Sequence, residues 1–246
     1  MSQIIKSLVR TTVRLTARGL RSGPHITRYA MYEALRRYAP VVRNDGRTLA
    51  VSHSRPLCEV LGIAPASVLE ANYPECDLLS LPFEDGTFAN VVTDQVLEHV
   101  NDPRTAIAES VRVLVPGGVA IHTTCFINPI HDAPADYWRF TPEALHLLCR
   151  DYEIVGVGGW GNRLVWLVDA LGMRFDPIPH ATWHPLHKIA TRDDPAWPIV
   201  TWVVLRRPGW VRLLCRTSAG GTQPLHLGED GPRSQLPQHP QSTKPS

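Results

Sequence analysis

The stretch DYWRFTPEALHLLC, residues 136–149, brings together side chains that can do chemistry. It opens on Asp136, and His131 lies five residues before it. An imidazole has an ordinary pKa of about 6.5, which suits a general base near neutral pH. A neighbouring carboxylate can orient such a ring, so we predict His131 as a candidate catalytic base and Asp136 as its partner.

The two aromatic residues and the arginine of this stretch also have possible roles at a binding site. Tyr137 and Trp138 could exclude water or contact a cation through their ring faces. Arg139 could bind an acidic substrate, or it could pair with Asp136. The structural alternative is that Trp138 and Phe140 belong to the core, while the Asp136–Arg139 pair only fixes a loop.

Short apolar runs alternate with helical patterns through the middle of the chain. Strands are predicted at 48–51, 67–70, 88–93, 119–123, 153–157 and 199–205, with a brief extended piece at 77–82. Helices are predicted at 57–61, 103–113 and 142–149, and Pro116-Gly117-Gly118 predicts a tight turn. This alternation predicts an α/β fold with a doubly wound, mostly parallel sheet and a ligand site at the carboxyl ends of its strands.

The N-terminal part of the chain is basic, since its first 32 residues contain six basic residues and no acid. Four of the basic residues recur at every fourth position and predict one stripe of a helix: Lys6, Arg10, Arg14 and Arg18. We predict a basic amphipathic segment over 1–40, which is typical of a peripheral anchor on an anionic membrane surface. The alternative is a helix that lies on the acidic surface of its own domain.

The rest of the composition is that of a cytoplasmic globular protein. Five scattered cysteines favour reduced thiols, and no apolar run is long enough to predict a transmembrane helix. Residues 216–246 are rich in Pro, Gly, Gln and Ser and predict a disordered tail, which leaves 41–210 as the main domain. The basic cluster lacks interleaved aromatic residues, so no nucleic-acid partner is expected.

Three stretches carry a resemblance to a known family: LPFEDGTFANVVTDQVLEHV at 81–100, RVLVPGGVAIHTT at 112–124 and PIHDAPADYWRFTPEAL at 129–145. In this order and spacing they make the segment 47–208 resemble the class I S-adenosylmethionine-dependent methyltransferases, in particular the type-11 group with a DYWRFTPE stretch. The resemblance implies a Rossmann-like sheet of about seven strands, S-adenosylmethionine as the cofactor, and methyl transfer.

Three residues near the second and third predicted strands are expected to bind the cofactor. Glu70 ends the second strand, where a carboxylate can accept hydrogen bonds from both ribose hydroxyls, as in dinucleotide-binding folds. By the resemblance, Asp77 accepts a hydrogen bond from the exocyclic amine of adenine, and Leu78 adds a backbone donor and an apolar wall.

The resemblance also implies roles around the reacting atoms. Asp94 and Gln95 follow a predicted strand and are expected near the sulfur of the cofactor. His99 is a further candidate catalytic residue, although it could simply begin a helix. His131 and the segment 136–139, which we call the lip, would lie over the methyl donor on the side from which the acceptor enters.

One segment departs from the family pattern. After the first strand the family has an acid and then a Gly-x-Gly turn, whereas this chain has Ala50 and then Ser52-His53-Ser54. Serine adopts positive φ angles poorly, and each added Cβ occupies space near the ligand. Either the serine hydroxyls bind the amino acid end of the cofactor, or the pocket has lost affinity for it.

Two function classes remain open from the sequence. The first is a methyltransferase that acts on a small-molecule, glycan or lipid-linked acceptor. The second is a catalytically inactive, methyltransferase-like interaction module in a glycan or membrane-associated pathway. The retained acids and lip favour the enzyme, and the lost glycines favour the module. No metal site is predicted, because Pro185 disfavours a zinc site made of His180, His184 and His187.

Overall fold

The predicted strands form one large sheet in a computed structural model, which describes residues 3–131 and 135–209. In chain order the strands are β1 (Ser22–His25), β2 (Thr48–Val51), β3 (Val68–Ala71), β4 (Phe88–Asp94), β5 (Leu114–Cys125), β6 (Glu153–Trp160), β7 (Pro177–Pro179) and β8 (Val200–Arg206). The large sheet has six strands in the order β3-β2-β4-β5-β8-β6, and β1 pairs separately with β7. Only β8 runs against its neighbours in the large sheet.

The helices cover both faces of this sheet. They are α1 (Gln3–Thr16), α2 (Ile26–Leu35), α3 (Arg55–Val60), α4 (Pro103–Arg112), α5 (Pro142–Leu148), α6 (Val165–Ala170) and α7 (Pro185–Ala190), with 3-10 turns at Arg36–Val41, Pro65–Ser67 and Leu97–His99. Two helix starts follow directly from sequence. Asp102 accepts hydrogen bonds from the backbone N–H groups of the first turn of α4, and Thr141 does the same for α5, each before a proline.

Side-chain alternation along the strands divides the core into two layers. Leu49 and Val51 of β2 pack on the face that α4 and α5 cover, whereas Ala50 packs on the opposite face. The second layer includes buried residues of α2 such as Met31 and Leu35. Helix α2 therefore packs against the sheet although it lies inside the predicted N-terminal segment, and the predicted domain bounds stay predictions.

The predicted doubly wound, mostly parallel sheet is confirmed, with six strands instead of about seven. The extended piece at 77–82 is only an isolated bridge between Asp77 and Ser80. Strand β5 begins earlier than predicted and includes Pro116-Gly117-Gly118. At this point its pairing with β4 shifts register, and Gly117 has a φ of 76°. The predicted disordered tail at 216–246 lies outside the described residues.

The described cysteines are buried and unpaired: Cys58, Cys76, Cys125 and Cys149. Burial raises the pKa of the thiols of Cys58, Cys125 and Cys149 to about 12. These three thiols therefore stay protonated near neutral pH. Among the described helices, none combines the length and the apolar character needed to cross a bilayer.

Candidate functional site

The carboxyl ends of β2, β3 and β4 meet at one edge of the sheet and border a cavity of about 540 Å³, which we call the first cavity. This is the edge at which doubly wound sheets bind ligands. Its lining contains seven of the residues that the sequence singled out: Ser52, His53, Asp77, Leu78, Gln95, His99 and Tyr137.

The turn after β2 keeps a backbone conformation that glycine would normally supply. Ser52 and His53 have φ angles of 55° and 61°, in the left-handed region. The N–H of Ser52 donates to the carbonyl of Ala71 at 3.0 Å, and the N–H of His53 donates to Oδ1 of Asn72 at 3.0 Å. The backbone path of the turn is thus held by hydrogen bonds to the end of β3.

Ser54 is fully buried and does not line the first cavity. Its hydroxyl donates to the carbonyl of Val51 and accepts from the N–H of Asp94 at 2.7 Å. This side chain therefore ties β2 to β4, and its predicted contact with a cofactor stays a prediction.

Glu70, the acid near the end of β3, does not line the first cavity, whereas Asn72, two residues later, does. Glu70 pairs with Arg55 of α3 at 3.2 Å and lies 3.7 Å from the ring of His53. Asn72 follows β3 directly and lines the cavity. Sequence reasoning missed Asn72 because it took an acid at the strand end as the sign of a ribose site.

Asp77 and Leu78 lie in the loop after β3, on one wall of the first cavity. Oδ1 of Asp77 accepts a hydrogen bond from the N–H of Leu79 at 2.9 Å, which fixes the carboxylate. Leu78 is buried and gives this wall its apolar character. The arrangement presents a carboxylate beside an apolar surface, which suits a flat base with an amine.

Asp94, at the end of β4, has a nearly buried side chain that accepts hydrogen bonds from three other side chains. Its Oδ2 accepts from Arg28 at 2.9 Å and from the hydroxyl of Tyr32 at 2.6 Å, and its Oδ1 accepts from Thr123 at 2.7 Å. Burial and the charge of Asp94 raise the pKa of Tyr32. Sequence reasoning missed Arg28 and Tyr32, since helix α2 precedes the strands and Arg28 was counted only as part of the basic segment.

A second cavity, of about 360 Å³, lies next to the first. Gln95, with a left-handed φ of 60°, lines both cavities. The remaining lining includes polar and aromatic residues from distant parts of the chain: His25, Arg28, Asn128, His131, Arg174 and Phe175. Two cavities that share one wall can hold a donor and an acceptor side by side.

The lip is fixed by a buried carboxylate. The side chain of Asp136 is fully buried, and both of its oxygens pair with the guanidinium of Arg139. Its Oδ2 also accepts from the N–H of His131 at 2.8 Å and lies 3.3 Å from Nδ1 of that ring. The Arg139 guanidinium lowers the pKa of Asp136 to about 2.

Of the other lip residues, one lines the first cavity and two donate hydrogen bonds to backbone carbonyls. Tyr137 lines the first cavity, whereas Trp138 donates from Nε1 to the carbonyl of Val100 at 2.9 Å. Arg139 also donates to the carbonyls of Asn128 and Pro129. These bonds agree with the structural alternative for Arg139, and the substrate roles of Trp138 and Arg139 stay predictions.

The two candidate catalytic histidines are in contact. The rings of His99 and His131 pack edge to face with centroids 4.9 Å apart, so that one ring lies at each cavity. Nδ1 of His99 lies 2.5 Å from the carbonyl oxygen of Ala135. The preceding residue, Glu98, is buried, and Thr124 donates to its Oε2 at 2.7 Å.

The chain is similar to known methyltransferases over part of its length. Residues 29–122 match a family model described as a methyltransferase domain. Norajmaline N-methyltransferase of Rauvolfia serpentina is 45% identical over 158 residues, which are 62% of this chain and 53% of that protein. An uncharacterized 37.1 kDa protein in transposon TN4556 of Streptomyces fradiae is 36% identical over 80 residues, 32% of this chain and 23% of that protein.

Among solved structures, MccD protein matches with a TM-score of 0.46 and 13% identity, over 72% of this chain and 96% of that one. The chain thus spans about half of the Rauvolfia relative and about a quarter of the Streptomyces relative.

Proposed function

We propose that the protein transfers a methyl group from S-adenosylmethionine to an acceptor molecule, because residues 29–122 match a family model described as a methyltransferase domain. The observation that carries the proposal is the pair of adjacent cavities at the carboxyl edge of the sheet, with Gln95 in the wall of both. In-line transfer between two molecules needs this arrangement, since donor and acceptor must be aligned in contact.

The first cavity fits the proposed cofactor in size and in chemistry. Its volume of about 540 Å³ lies in the range of small-molecule sites. Ser52, at the position of the first missing glycine, has the left-handed backbone that glycine would supply, whereas Ser54, at the second, has a φ of −81° that any residue adopts. Asp77 would accept a hydrogen bond from the adenine amine, and Asn72 would offer its amide to the ribose in place of Glu70.

The residues between the cavities would orient the acceptor and receive its proton. When bound, S-adenosylmethionine supplies an electrophilic methyl group on a sulfonium. His131 lines the second cavity and is in contact with Asp136, so it would act as the general base if the acceptor carries a proton. Tyr137 would exclude water from the first cavity.

The second cavity supports a small acceptor group. Its volume of about 360 Å³ suits one compact unit, either a free small molecule or the terminal unit of a glycan or lipid-linked intermediate. Arg174 lines this cavity with its guanidinium 5.8 Å from the ring centroid of Phe175. A cation beside an aromatic wall favours an acceptor with an anionic group near its apolar face.

Calorimetric titration of the purified chain with S-adenosylmethionine and S-adenosylhomocysteine tests the proposal. We expect saturable binding with one site per chain. Asp77→Ala should weaken it by about tenfold, because one hydrogen bond to a charged group contributes roughly 1.5 kcal/mol.

Asp151→Ala is the matched control, since Asp151 is exposed and lies in the turn after α5. This variant should bind like the wild type. If the folded wild-type chain binds neither ligand at millimolar concentration, the inactive interaction module becomes the better interpretation.

The N-terminal helix supports a second proposal, attachment to an anionic membrane surface. Helix α1 meets the domain through its basic side, where Arg14 forms two hydrogen bonds with Asp176 at 2.7 and 2.8 Å and Val13 packs on the core. Its apolar stripe faces solvent instead, with Ile4 81%, Leu8 66% and Leu15 54% exposed. The apolar side would enter the lipid, with the basic residues at its border.

Sedimentation with vesicles that contain phosphatidylserine tests this attachment. Leu8→Gln should reduce the bound fraction several-fold, because it removes apolar area without a change in charge. Thr11→Gln, an exposed polar change on the same helix, should leave binding as it is. Equal binding by Leu8→Gln and the wild type would contradict insertion of the apolar stripe.

A further inference from the structure

Three side chains at the wall between the cavities form a cluster that the proposed function does not use as a unit. One candidate ligand atom from each of Glu98, His99 and His131 lies within 4.8 Å of the other two. Ligand atoms that are each about 2.0–2.2 Å from one cation in a tetrahedral arrangement are roughly 3.3–3.6 Å apart. The three side chains would therefore approach one another by up to about 1.5 Å when they bind one cation.

The buried carboxylate of the cluster has one oxygen without a partner. Thr124 donates to Oε2 of Glu98, but Oε1 is buried and has no hydrogen-bond partner among the described residues. Buried polar atoms are almost always satisfied, and an exception calls for an explanation such as an ion. A cation at this point would complete the coordination of Glu98.

Nδ1 of each ring lies near an oxygen acceptor. Nδ1 of His99 can donate to the carbonyl of Ala135 at 2.5 Å, and Nδ1 of His131 lies 3.2 Å from the carbonyl of Pro129 and 3.3 Å from the Asp136 carboxylate. A proton on Nδ1 leaves Nε2 of each ring as a lone-pair donor. Carbonyl and carboxylate partners of this kind fix the tautomer of metal-binding histidines.

We propose that Glu98, His99 and His131 bind one divalent transition-metal cation, such as Zn²⁺, at the wall between the two cavities. Two imidazoles and one carboxylate leave open coordination positions, as in catalytic sites. Sequence spacing does not reveal this cluster, because Glu98 and His99 are separated from His131 by more than thirty residues.

The site has a consequence for the acceptor, and this part rests on the proposed function. His131 faces the second cavity, so an open position of the cation there would bind an oxygen or nitrogen of the acceptor. Coordination lowers the pKa of a bound hydroxyl group and holds it in place. With the cation bound, His131 would serve as a ligand, and the proton would leave to solvent through the open second cavity.

Competition between the full-length protein and a chromophoric chelator for Zn²⁺ tests the proposal. We expect one Zn²⁺ per chain, with affinity lowered more than ~10-fold in both Glu98→Gln and His131→Gln, since each removes one of three ligands. His146→Gln is the matched control, because His146 is exposed on α5, and it should bind like the wild type. Circular dichroism on each variant confirms that it is folded.

A spectroscopic measurement separates the cluster from other histidines. Co²⁺ in place of Zn²⁺ should give visible absorption bands that change in Glu98→Gln and stay unchanged in His146→Gln. Failure of the folded wild type to bind either metal, or unaltered binding by both cluster variants, would overturn the site. Titration with S-adenosylhomocysteine on the same samples reports the cofactor cavity separately, so failure of the metal site and failure of the proposed function are distinguishable.

Discussion

The turn after β2 holds two non-glycine residues in left-handed backbone, and this conformation has a measurable effect on stability. His53 is mostly exposed, with a φ of 61°, and a left-handed conformation costs an ordinary residue about 1–2 kcal/mol. Glycine removes that strain but loses about 0.4–1 kcal/mol through the entropy of the unfolded chain. We therefore expect His53→Gly to raise the free energy of unfolding by about 0.5–1 kcal/mol in urea titrations.

His53→Ala is the appropriate comparison for this prediction. It removes the same imidazole but keeps the Cβ, so it should give no gain in the free energy of unfolding. Equal stabilisation by alanine and glycine would mean that the side chain, and not the backbone angle, destabilises the turn.

At the residue scale, sequence reasoning identified positions better than partners. Asp77, which the resemblance singled out, and Gln95, which follows a predicted strand, both line the first cavity, and their roles there stay predictions. Asn72 and Arg28 were missed, since neither residue type nor spacing marks them. Their positions depend on which strand end and which helix meet in space.

At the scale of elements, the lip is a short segment whose shape depends on one buried ion pair. Arg139→Ala would leave the Asp136 carboxylate buried without its main partner. We expect the free energy of unfolding to fall by about 2–3 kcal/mol. Affinity for S-adenosylhomocysteine should change less than about twofold, because Arg139 is not among the described residues that line either cavity. Urea unfolding and calorimetry measure the two effects.

Arg150→Ala provides the control for the lip, since Arg150 is exposed and forms only a long ion pair, at 3.9 Å, with its neighbour Asp151. It should leave stability nearly unchanged. An Arg139→Ala variant with wild-type stability and a lost response to acceptor would instead favour the substrate role that the sequence suggested.

Element types followed from the sequence more reliably than the surfaces those elements contact. The 3.6-residue period at the N-terminus predicted the two sides of α1, and the helix is present. The period carries no information on which side meets the domain, and Arg14 reaches Asp176 across 162 residues of sequence. Only the folded chain brings these two residues together.

At the scale of the whole molecule, the resemblance to class I methyltransferases is confirmed by the family match over residues 29–122. The sheet could be predicted because strand periodicity and helix starts are local. The second cavity could not, since its lining comes from the ends of β1 and β5 and from the segment after α6, including His25, Cys125 and Arg174.

Whole-molecule stability should also depend on pH through a histidine in the central sheet. His122 of β5 is fully buried beside Thr93, and burial lowers its pKa to about 4 from an ordinary value of 6.5. Above pH 6.5 the ring is neutral in both the folded and the unfolded chain, so it contributes no pH dependence. Between pH 6.5 and 4 only the unfolded chain binds the proton, which lowers the free energy of unfolding as the pH falls.

Replacement of the ring isolates this contribution from other titrating groups. Between pH 6.5 and 4, protonation of His122 in the unfolded chain lowers the free energy of unfolding by up to about 3 kcal/mol, since one pKa unit corresponds to about 1.4 kcal/mol. We expect the free energy of unfolding of His122→Gln to fall less steeply than that of the wild type between pH 7.5 and 5, as measured by urea titration. His146→Gln removes an exposed histidine and should follow the wild-type slope. Parallel curves for His122→Gln and the wild type would mean that His122 becomes protonated inside the fold.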